Sequence, residues 1–162
     1  MEKLWAPWRM EYINGGSSGG CVLCVGADSS QDRKRLILFR GEFNFIIMNK
    51  FPYTNGHLMV SPYRHTSSLE DLSDEEALEM HKLIVFSRSV LLECMCPQGF
   101  NIGMNLGQIA GAGISDHLHM HIVPRWVGDT NFMPVFADVR VIPQHLEATY
   151  EKLSHCFARR TP

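Results

Sequence analysis

Three histidines occupy every second position of the segment His117-Leu118-His119-Met120-His121. Successive side chains of a β-strand lie on opposite faces, so this spacing predicts three imidazoles on one face and apolar side chains on the other. A row of imidazoles supports two kinds of chemistry. It can hold a zinc ion that keeps one position open for an activated water. Alternatively, one neutral imidazole can attack an electrophile such as phosphorus.

The loop before the histidines favours the nucleophile. Residues 107–113, Gly-Gln-Ile-Ala-Gly-Ala-Gly, are mostly small, and glycines leave the backbone free to point amide N–H groups at an anion such as phosphate. An imidazole beside a bound phosphate can form a phosphoramidate, which a second acceptor then cleaves. Flanking histidines can orient the attacking ring and donate a hydrogen bond to the leaving oxygen.

A second chemical motif is Cys21-Val22-Leu23-Cys24, whose spacing lets two thiolates hold one ion. A redox pair is the alternative, but that motif normally accompanies a βαβ pattern, which this sequence lacks. The chain has five cysteines. Because we expect a cytoplasmic protein, we predict no disulfides and interpret Cys94, Cys96 and Cys156 as small buried hydrophobic residues.

Bulk composition restricts the class of protein. A length of 162 residues suits one domain, and 45% hydrophobic with 20% charged residues is typical of a globular chain. The net charge of −2 gives no basic field for nucleic acid. No apolar run reaches the roughly 18 residues of a transmembrane helix, and the N-terminal residues lack the apolar stretch of a signal peptide. We therefore expect a cytoplasmic protein that binds neither nucleic acid nor membrane.

The elements that must position these motifs are strands joined by short turns, together with two helices. Strands are predicted at residues 36–39, 43–48, 57–61 and 100–106, and the histidine segment supplies a fifth. Residues 40–42 have the composition of a hairpin turn. Strands joined in this way, with helices apart from them, predict an α+β fold with an antiparallel sheet.

Both helices carry boundary signals. Ser73 is predicted to cap a helix over residues 74–95, because Glu76 follows three residues later as in a capping box. Apolar residues recur along this helix at helical spacing: Ala77, Met80, Leu83, Ile84, Leu91 and Leu92. Pro143 is predicted to start a C-terminal helix that runs to about residue 156.

The residues around the histidines resemble a known family. The segment 117–125, HLHMHIVPR, resembles the signature of the histidine-triad (HIT) superfamily, whose members hydrolyse or transfer nucleotides at the α-phosphate. Residues 49–65 and 100–107 continue the resemblance, which extends from about Leu36 to Trp126. Residues 4–12 and 124–132 resemble the bacterial diadenosine tetraphosphate phosphorylase branch.

The resemblance implies roles for individual residues. His119 would be the nucleophile that becomes nucleotidylated, and His57 and His121 would form hydrogen bonds around it and the phosphates. Nucleotide binding would also involve Asn49 at the ribose, Asn105 at the phosphates, and Gly113. The implied fold is a five-stranded antiparallel sheet with a long helix and a C-terminal helix, and the implied assembly is a homodimer. We expect a single domain, 1–162, with an N-terminal extension (1–35), a core (36–126) and a C-terminal segment (127–162).

The same resemblance implies a structural zinc. In some branches of the superfamily, a cysteine pair like Cys21 and Cys24 is joined by two histidines. One histidine follows a Pro-x-x-His turn, which matches His65 here, and the other is the first histidine of the triad, His117. The predicted ligand set is therefore Cys₂His₂, and a zinc ion there would hold the histidine strand at its first residue.

One departure from the family pattern concerns the acceptor. Hydrolase branches carry a glutamine in the loop before the triad, whereas this chain has Ala112 at the corresponding position and one additional residue before His117. The missing amide leaves room for an acceptor bulkier than water, so we predict that inorganic phosphate completes the reaction. The predicted substrate is a dinucleoside polyphosphate or another purine nucleotide. Magnesium is expected to accompany the substrate. The alternatives are a hydrolase of AMP esters or phosphoramidates, a zinc-dependent hydrolase that uses all three histidines, and a non-catalytic nucleotide-binding module.

Overall fold

The computed structural model describes residues 20–129 and 145–162. The strands are β1 (Ile37–Arg40), β2 (Asn44–Met48), β3 (Leu58–Pro62), β4 (Gly99–Met104) and β5 (Met120–Arg125). The helices are α1 (Asp32–Arg35), α2 (Asp74–Met95) and α3 (Leu146–Ala158). Short 3₁₀ turns lie at Ser29–Gln31, Leu69–Asp71 and Gln108–Ala110.

The five strands form one sheet in the order β1-β2-β3-β5-β4, and every neighbouring pair is antiparallel. This confirms the predicted α+β class. β5, which follows the first histidines directly, lies between β3 and β4 and is therefore held by hydrogen bonds on both sides. β4 is an edge strand, and its residues 101–103 are exposed.

The two faces of the sheet pack against different parts of the chain. Ile46 and Met48 of β2 lie in the larger core with α2 and α3, whereas the intervening Ile47 packs in a smaller cluster with Leu23. This alternation is the ordinary period of a β-strand. Because Leu23 lies inside the Cys-x-x-Cys motif, the burial of this side chain anchors both cysteines to the sheet face opposite the helices.

Helix α2 confirms the predicted bounds and cap. The Ser73 hydroxyl accepts a hydrogen bond from the Glu76 amide at 3.2 Å, and the Glu76 carboxylate accepts one from the Ser73 amide at 2.7 Å. The predicted apolar stripe is partly wrong, because Ala77 and Leu92 are exposed. The buried face instead contains Met80, Leu83, Phe86, Ser87, Val90 and Leu91. The sequence spacing predicts the helical period of the apolar residues, but it does not predict which side of the helix faces the sheet.

The predicted C-terminal helix is present, but its predicted start and the predicted state of the cysteines were wrong. Helix α3 begins at Leu146, after His145 as N-cap, and Pro143 lies outside the described residues. The cysteine prediction fails because Cys94 of α2 and Cys156 of α3 form a disulfide, and because Cys96 is exposed. This pairing depends on how α2 packs against α3, which cysteine spacing cannot show.

The N-terminal resemblance to the phosphorylase branch, residues 4–12, lies outside the described residues, as do residues 130–132. Within the described ranges, no helix has both the length and the apolar character that a membrane span requires.

The Glu79 carboxylate connects α2 to the hairpin between β1 and β2. It accepts hydrogen bonds from the backbone amides of Glu42, Phe43 and Asn44 at 2.6, 2.8 and 2.7 Å, and from the Asn44 side chain at 2.9 Å. Burial acts to raise the pKa of Glu79, but these hydrogen bonds outweigh it and the pKa is lowered overall. The ionised form therefore stabilises the hairpin.

Glu79→Gln is expected to lower the free energy of unfolding at pH 7 by about 2 kcal/mol, because a neutral amide replaces a carboxylate acceptor of four hydrogen bonds. A lowered folded-state pKa gives stability that is present above the unfolded pKa of about 4.3 and is lost as the pH falls through the folded value. The difference in the free energy of unfolding between wild type and variant should therefore become smaller below about pH 4. Urea unfolding at several pH values measures this free energy for both proteins. Glu42→Gln, at an exposed side chain of the same loop, is the control, and an equal loss there would contradict the assignment.

Candidate active site and metal centre

The three histidines do not lie on one strand as predicted. The ladder between β3 and β5 ends at the pair Val60 and Met120, so His117 and His119 precede β5 and only His121 belongs to it. All three imidazoles are buried, since His117, His119 and His121 are only 1%, 4% and 9% exposed. Because only His121 belongs to the strand, the backbone surroundings of the three histidines differ, although their spacing in the sequence is even.

His119 has the hydrogen bonding of a neutral nucleophile. Its Nδ1 lies 2.8 Å from the His117 carbonyl oxygen, and because a carbonyl only accepts, Nδ1 carries the proton. The lone pair is therefore on Nε2. Burial lowers the pKa of His119, although the bond to the carbonyl acts in the opposite direction. The ring is thus neutral at pH 7, as nucleophilic attack requires.

His57 and His121 form a directed hydrogen-bond chain beside His119. The Tyr53 amide donates to His57 Nδ1 at 3.1 Å, so the His57 proton is on Nε2. That nitrogen lies 2.9 Å from His121 Nδ1, which accepts, and the neutral His121 ring therefore carries its proton on Nε2. The His119 and His121 ring centroids are 4.9 Å apart. The ring of His121, which can donate a hydrogen bond from Nε2, thus lies next to His119.

The predicted nucleotide-binding residues have different surroundings. Asn49 Nδ2 is 3.4 Å from His57 Nδ1, which places this side chain at the histidine chain. Asn105 follows β4, and its Nδ2 lies 3.5 Å from the carbonyl oxygen of Gly111, in the glycine-rich loop. Gly107 and Gly111 have φ values of +80° and +88°, which only glycine adopts without strain. Gly113 is exposed in the same loop, four residues before His117.

A second cluster brings together the four predicted metal ligands. Cys21, Cys24, His65 and His117 each offer one ligand atom, and these atoms all lie within 4.8 Å of one another. The His117 Nδ1 is 3.3 Å from Cys21 Sγ, 3.8 Å from Cys24 Sγ and 3.3 Å from His65 Nδ1. Zinc bound tetrahedrally at ordinary bond lengths would separate sulfur from nitrogen by about 3.6 Å and nitrogen from nitrogen by about 3.3 Å. The four residues therefore fit a zinc ion.

The protonation of this cluster also fits a metal. His117 Nε2 donates to the Pro62 carbonyl at 2.8 Å, which leaves Nδ1 unprotonated and directed at the thiols. Burial, above all, lowers the pKa of His117 and keeps the ring neutral. Burial and the neighbouring Cys21 raise the pKa of Cys24, so a metal ion would have to displace the thiol proton on binding.

The arrangement disfavours a zinc tripod of the three histidines. Both nitrogens of His117 are engaged, one with Pro62 and one within the cysteine cluster. His119 directs Nδ1 at a carbonyl, and His121 directs Nδ1 at His57. In the part of the chain that the structure describes, His119 and His121 do not belong to the group of residues that could hold a metal ion.

Sequence reasoning missed four residues that position the histidines: Tyr53, Ser61, Pro62 and Thr66. Tyr53 acts through its backbone amide, and the Thr66 carbonyl accepts from the Leu118 amide at 2.7 Å. Backbone groups are present at every position, so neither contact has a sequence signal. Pro62 does have one, since a proline cannot donate to a strand ladder.

A buried neutral imidazole beside a proton-donating histidine and a glycine-rich loop is the arrangement expected of a site that transfers phosphoryl or nucleotidyl groups. The family model described as "HIT domain" matches residues 31–127, and the chain belongs to this family. It is 37% identical over 168 aligned positions, covering 99% of this chain and 86% of the relative, to the AP-4-A phosphorylase of Mycobacterium tuberculosis.

Two other proteins are also similar to this chain, one over a shorter segment and the other at lower sequence identity. The bis(5'-adenosyl)-triphosphatase of Dictyostelium discoideum is 31% identical over 57% of this chain and 62% of that protein. Among solved structures, a zinc-bound histidine triad family protein from Mycobacterium smegmatis superposes with a TM-score of 0.65 at 26% identity. That match covers 86% of this chain and 94% of the other.

Proposed function

We propose that this protein is a nucleotidyltransferase that cleaves diadenosine tetraphosphate, or a related dinucleoside polyphosphate, at the α-phosphate through a covalent intermediate on His119. The observation that carries the proposal is the Nδ1–H bond from His119 to the His117 carbonyl, because it leaves Nε2 as the nucleophile. Similarity to an AP-4-A phosphorylase along nearly the whole chain supports the substrate class.

In the first step, His119 Nε2 attacks the α-phosphorus, and the bond from that phosphorus to the bridging oxygen of the leaving nucleotide breaks. The leaving oxygen accepts a hydrogen bond from His121 Nε2, and ATP departs as an anion. His57 Nε2 lies 2.9 Å from His121 Nδ1 and holds the His121 ring in the orientation that makes this donation possible. The products are ATP and an adenylyl phosphoramidate on His119. Asn49 would hold the ribose, while Asn105, Gly113 and the loop amides would hold the phosphates.

In the second step, an oxygen of inorganic phosphate attacks the same phosphorus, the nitrogen–phosphorus bond breaks, and ADP leaves. Ala112 supports phosphate as the acceptor. Its side chain is a methyl group, which cannot position a water as a glutamine side chain can. Its backbone N–H donates to the Gly107 carbonyl at 3.3 Å. Magnesium on the polyphosphate would reduce its charge during both steps, and it remains a prediction.

Product analysis with and without inorganic phosphate tests the acceptor. Diadenosine tetraphosphate with phosphate should yield ADP and ATP, and turnover should fall strongly when phosphate is withheld. Ala112→Gln supplies the amide that the hydrolase branches carry, so it should increase the share of AMP. Equal turnover to AMP and ATP, whether or not phosphate is present, would contradict phosphorolysis while leaving the nucleotidyl-histidine step open to its own test.

We also propose that Cys21, Cys24, His65 and His117 bind a structural zinc ion. The ligand spacing and the unprotonated Nδ1 of His117 support it. The ion would supply no activated water, since all four positions of the tetrahedron would be protein ligands. Its role would be to fix the backbone of His117, whose carbonyl holds the His119 ring.

The same proposal includes a homodimer. β4 is an edge of the sheet, and Ile102 in its centre is 44% exposed. An edge strand with exposed backbone groups and an apolar side chain can pair with an identical edge across a twofold axis. Pairing of β4 with β4 of a second copy would join the two five-stranded sheets.

A further inference from the structure

The ladder between β3 and β5 stops just before the catalytic histidine because of Pro62. The Tyr63 amide bonds to the Phe43 carbonyl and the Asn49 amide bonds to the His57 carbonyl, so odd-numbered residues of this strand pair with β2. Even-numbered residues therefore pair with β5, and the register that matches Val60 with Met120 would match Pro62 with Leu118. Pro62 has no amide proton, so the Leu118 carbonyl loses its expected donor.

Side-chain and loop groups replace the missing ladder bonds. The Ser61 hydroxyl donates to the Leu118 carbonyl at 2.8 Å. The Leu118 amide, which would have paired with Pro62, donates instead to the Thr66 carbonyl at 2.7 Å. The Pro62 carbonyl accepts from His117 Nε2 at 2.8 Å. The chain is thus held away from the ladder by specific contacts on both sides of Leu118.

The contact from Ser61 is the one that bears directly on His119. Ser61 is 0% exposed and Leu118 is 3% exposed, so water cannot readily replace the hydroxyl. The carbonyl that Ser61 holds belongs to the peptide bond between Leu118 and His119. Fixing that peptide plane fixes the direction in which the His119 side chain leaves the backbone, and with it the bond from Nδ1 to the His117 carbonyl.

We propose that Ser61 is a positioning residue for the nucleophile. Its hydroxyl substitutes for the donor that Pro62 lacks, and it thereby holds His119 in the orientation and tautomer that direct the Nε2 lone pair at phosphorus. This role rests on the proposed function in one respect only, that His119 is the group that attacks.

Ser61→Ala tests this role, with Ser87→Ala as a matched control. Ser87 is also 0% exposed, but its hydroxyl has no hydrogen-bond partner within residues 20–129 and 145–162. Ser61→Ala should lower kcat for nucleotidyl transfer by about 10- to 100-fold, because a small misplacement of a reacting group has an effect of that size. KM should stay within about threefold, since no substrate contact is removed. Ser87→Ala should change neither quantity.

Nitrogen-15 NMR of the histidine rings gives a readout that does not depend on turnover. Wild type and Ser87→Ala should show His119 as a single Nδ1–H tautomer, and Ser61→Ala should show a mixture of tautomers. An unchanged kcat in Ser61→Ala would overturn the proposal, and so would a lower kcat with unchanged His119 signals. If wild type forms no nucleotidyl adduct, the proposed function fails, but the NMR comparison still decides whether Ser61 positions His119.

Discussion

His119→Ala is expected to lower the rate of nucleotidyl transfer by roughly 10⁴-fold or more, because it removes the atom that forms the intermediate. His119→Gln should be equally inactive while filling more of the buried space. Quantifying ADP and ATP formed from diadenosine tetraphosphate measures the loss. The hydrogen bond from Nδ1 to the His117 carbonyl assigns the attacking lone pair to His119 alone. We therefore expect that no second histidine replaces His119 as the nucleophile.

Controls separate this effect from loss of structure. His81→Ala, at an exposed position of α2, should retain wild-type turnover. Both His119 variants should keep their metal content, because His119 does not belong to the cysteine cluster. A variant that loses its metal and its activity together would favour the zinc tripod, and one that retains turnover would remove His119 from the mechanism.

The second large effect is expected at the metal centre. Cys21→Ser should abolish stoichiometric zinc binding, because it removes one of four ligands from a closed site. The protein should also lose stability, by about 4 kcal/mol where free zinc exceeds its dissociation constant 1,000-fold. Turnover should fall without vanishing, since the ion supports the His117 backbone and does not contact the reacting atoms.

Metal analysis and cobalt substitution test this account. Cobalt in the wild-type protein should give the thiolate charge-transfer absorption of a tetrahedral site with two sulfur ligands, and Cys21→Ser should lose it. Cys96→Ser, at an exposed free cysteine, is the matched control. His121→Ala should keep its zinc. Loss of zinc in His121→Ala with retention in Cys21→Ser would contradict the Cys₂His₂ site.

Much of this organisation could be predicted from local sequence. The capping box at Ser73 and the alternation of strand residues are determined by neighbours a few positions apart, and α2 and the antiparallel sheet follow from them. The spacing of the histidines and of the cysteine pair indicated chemistry, but the ligand set that includes His65 came from resemblance to a family.

Other features depend on contacts between distant segments. Alternation alone predicted three imidazoles on one face of one strand, whereas the ladder ends at Met120, opposite Val60, and His117 and His119 have different partners. Likewise, the disulfide between Cys94 and Cys156 requires the packing of α2 against α3. Periodicity describes one element at a time, so it cannot show which residue of a second element replaces a missing bond.

Rapid-quench mass spectrometry of a single turnover tests the central claim most directly. We expect one adenylyl group on His119, formed at least as fast as products appear and removed when inorganic phosphate is added. Because a phosphoramidate is labile to acid, the quench should be alkaline. Product formation with no adduct on His119, or with an adduct that forms more slowly than kcat, would contradict a covalent intermediate on this residue.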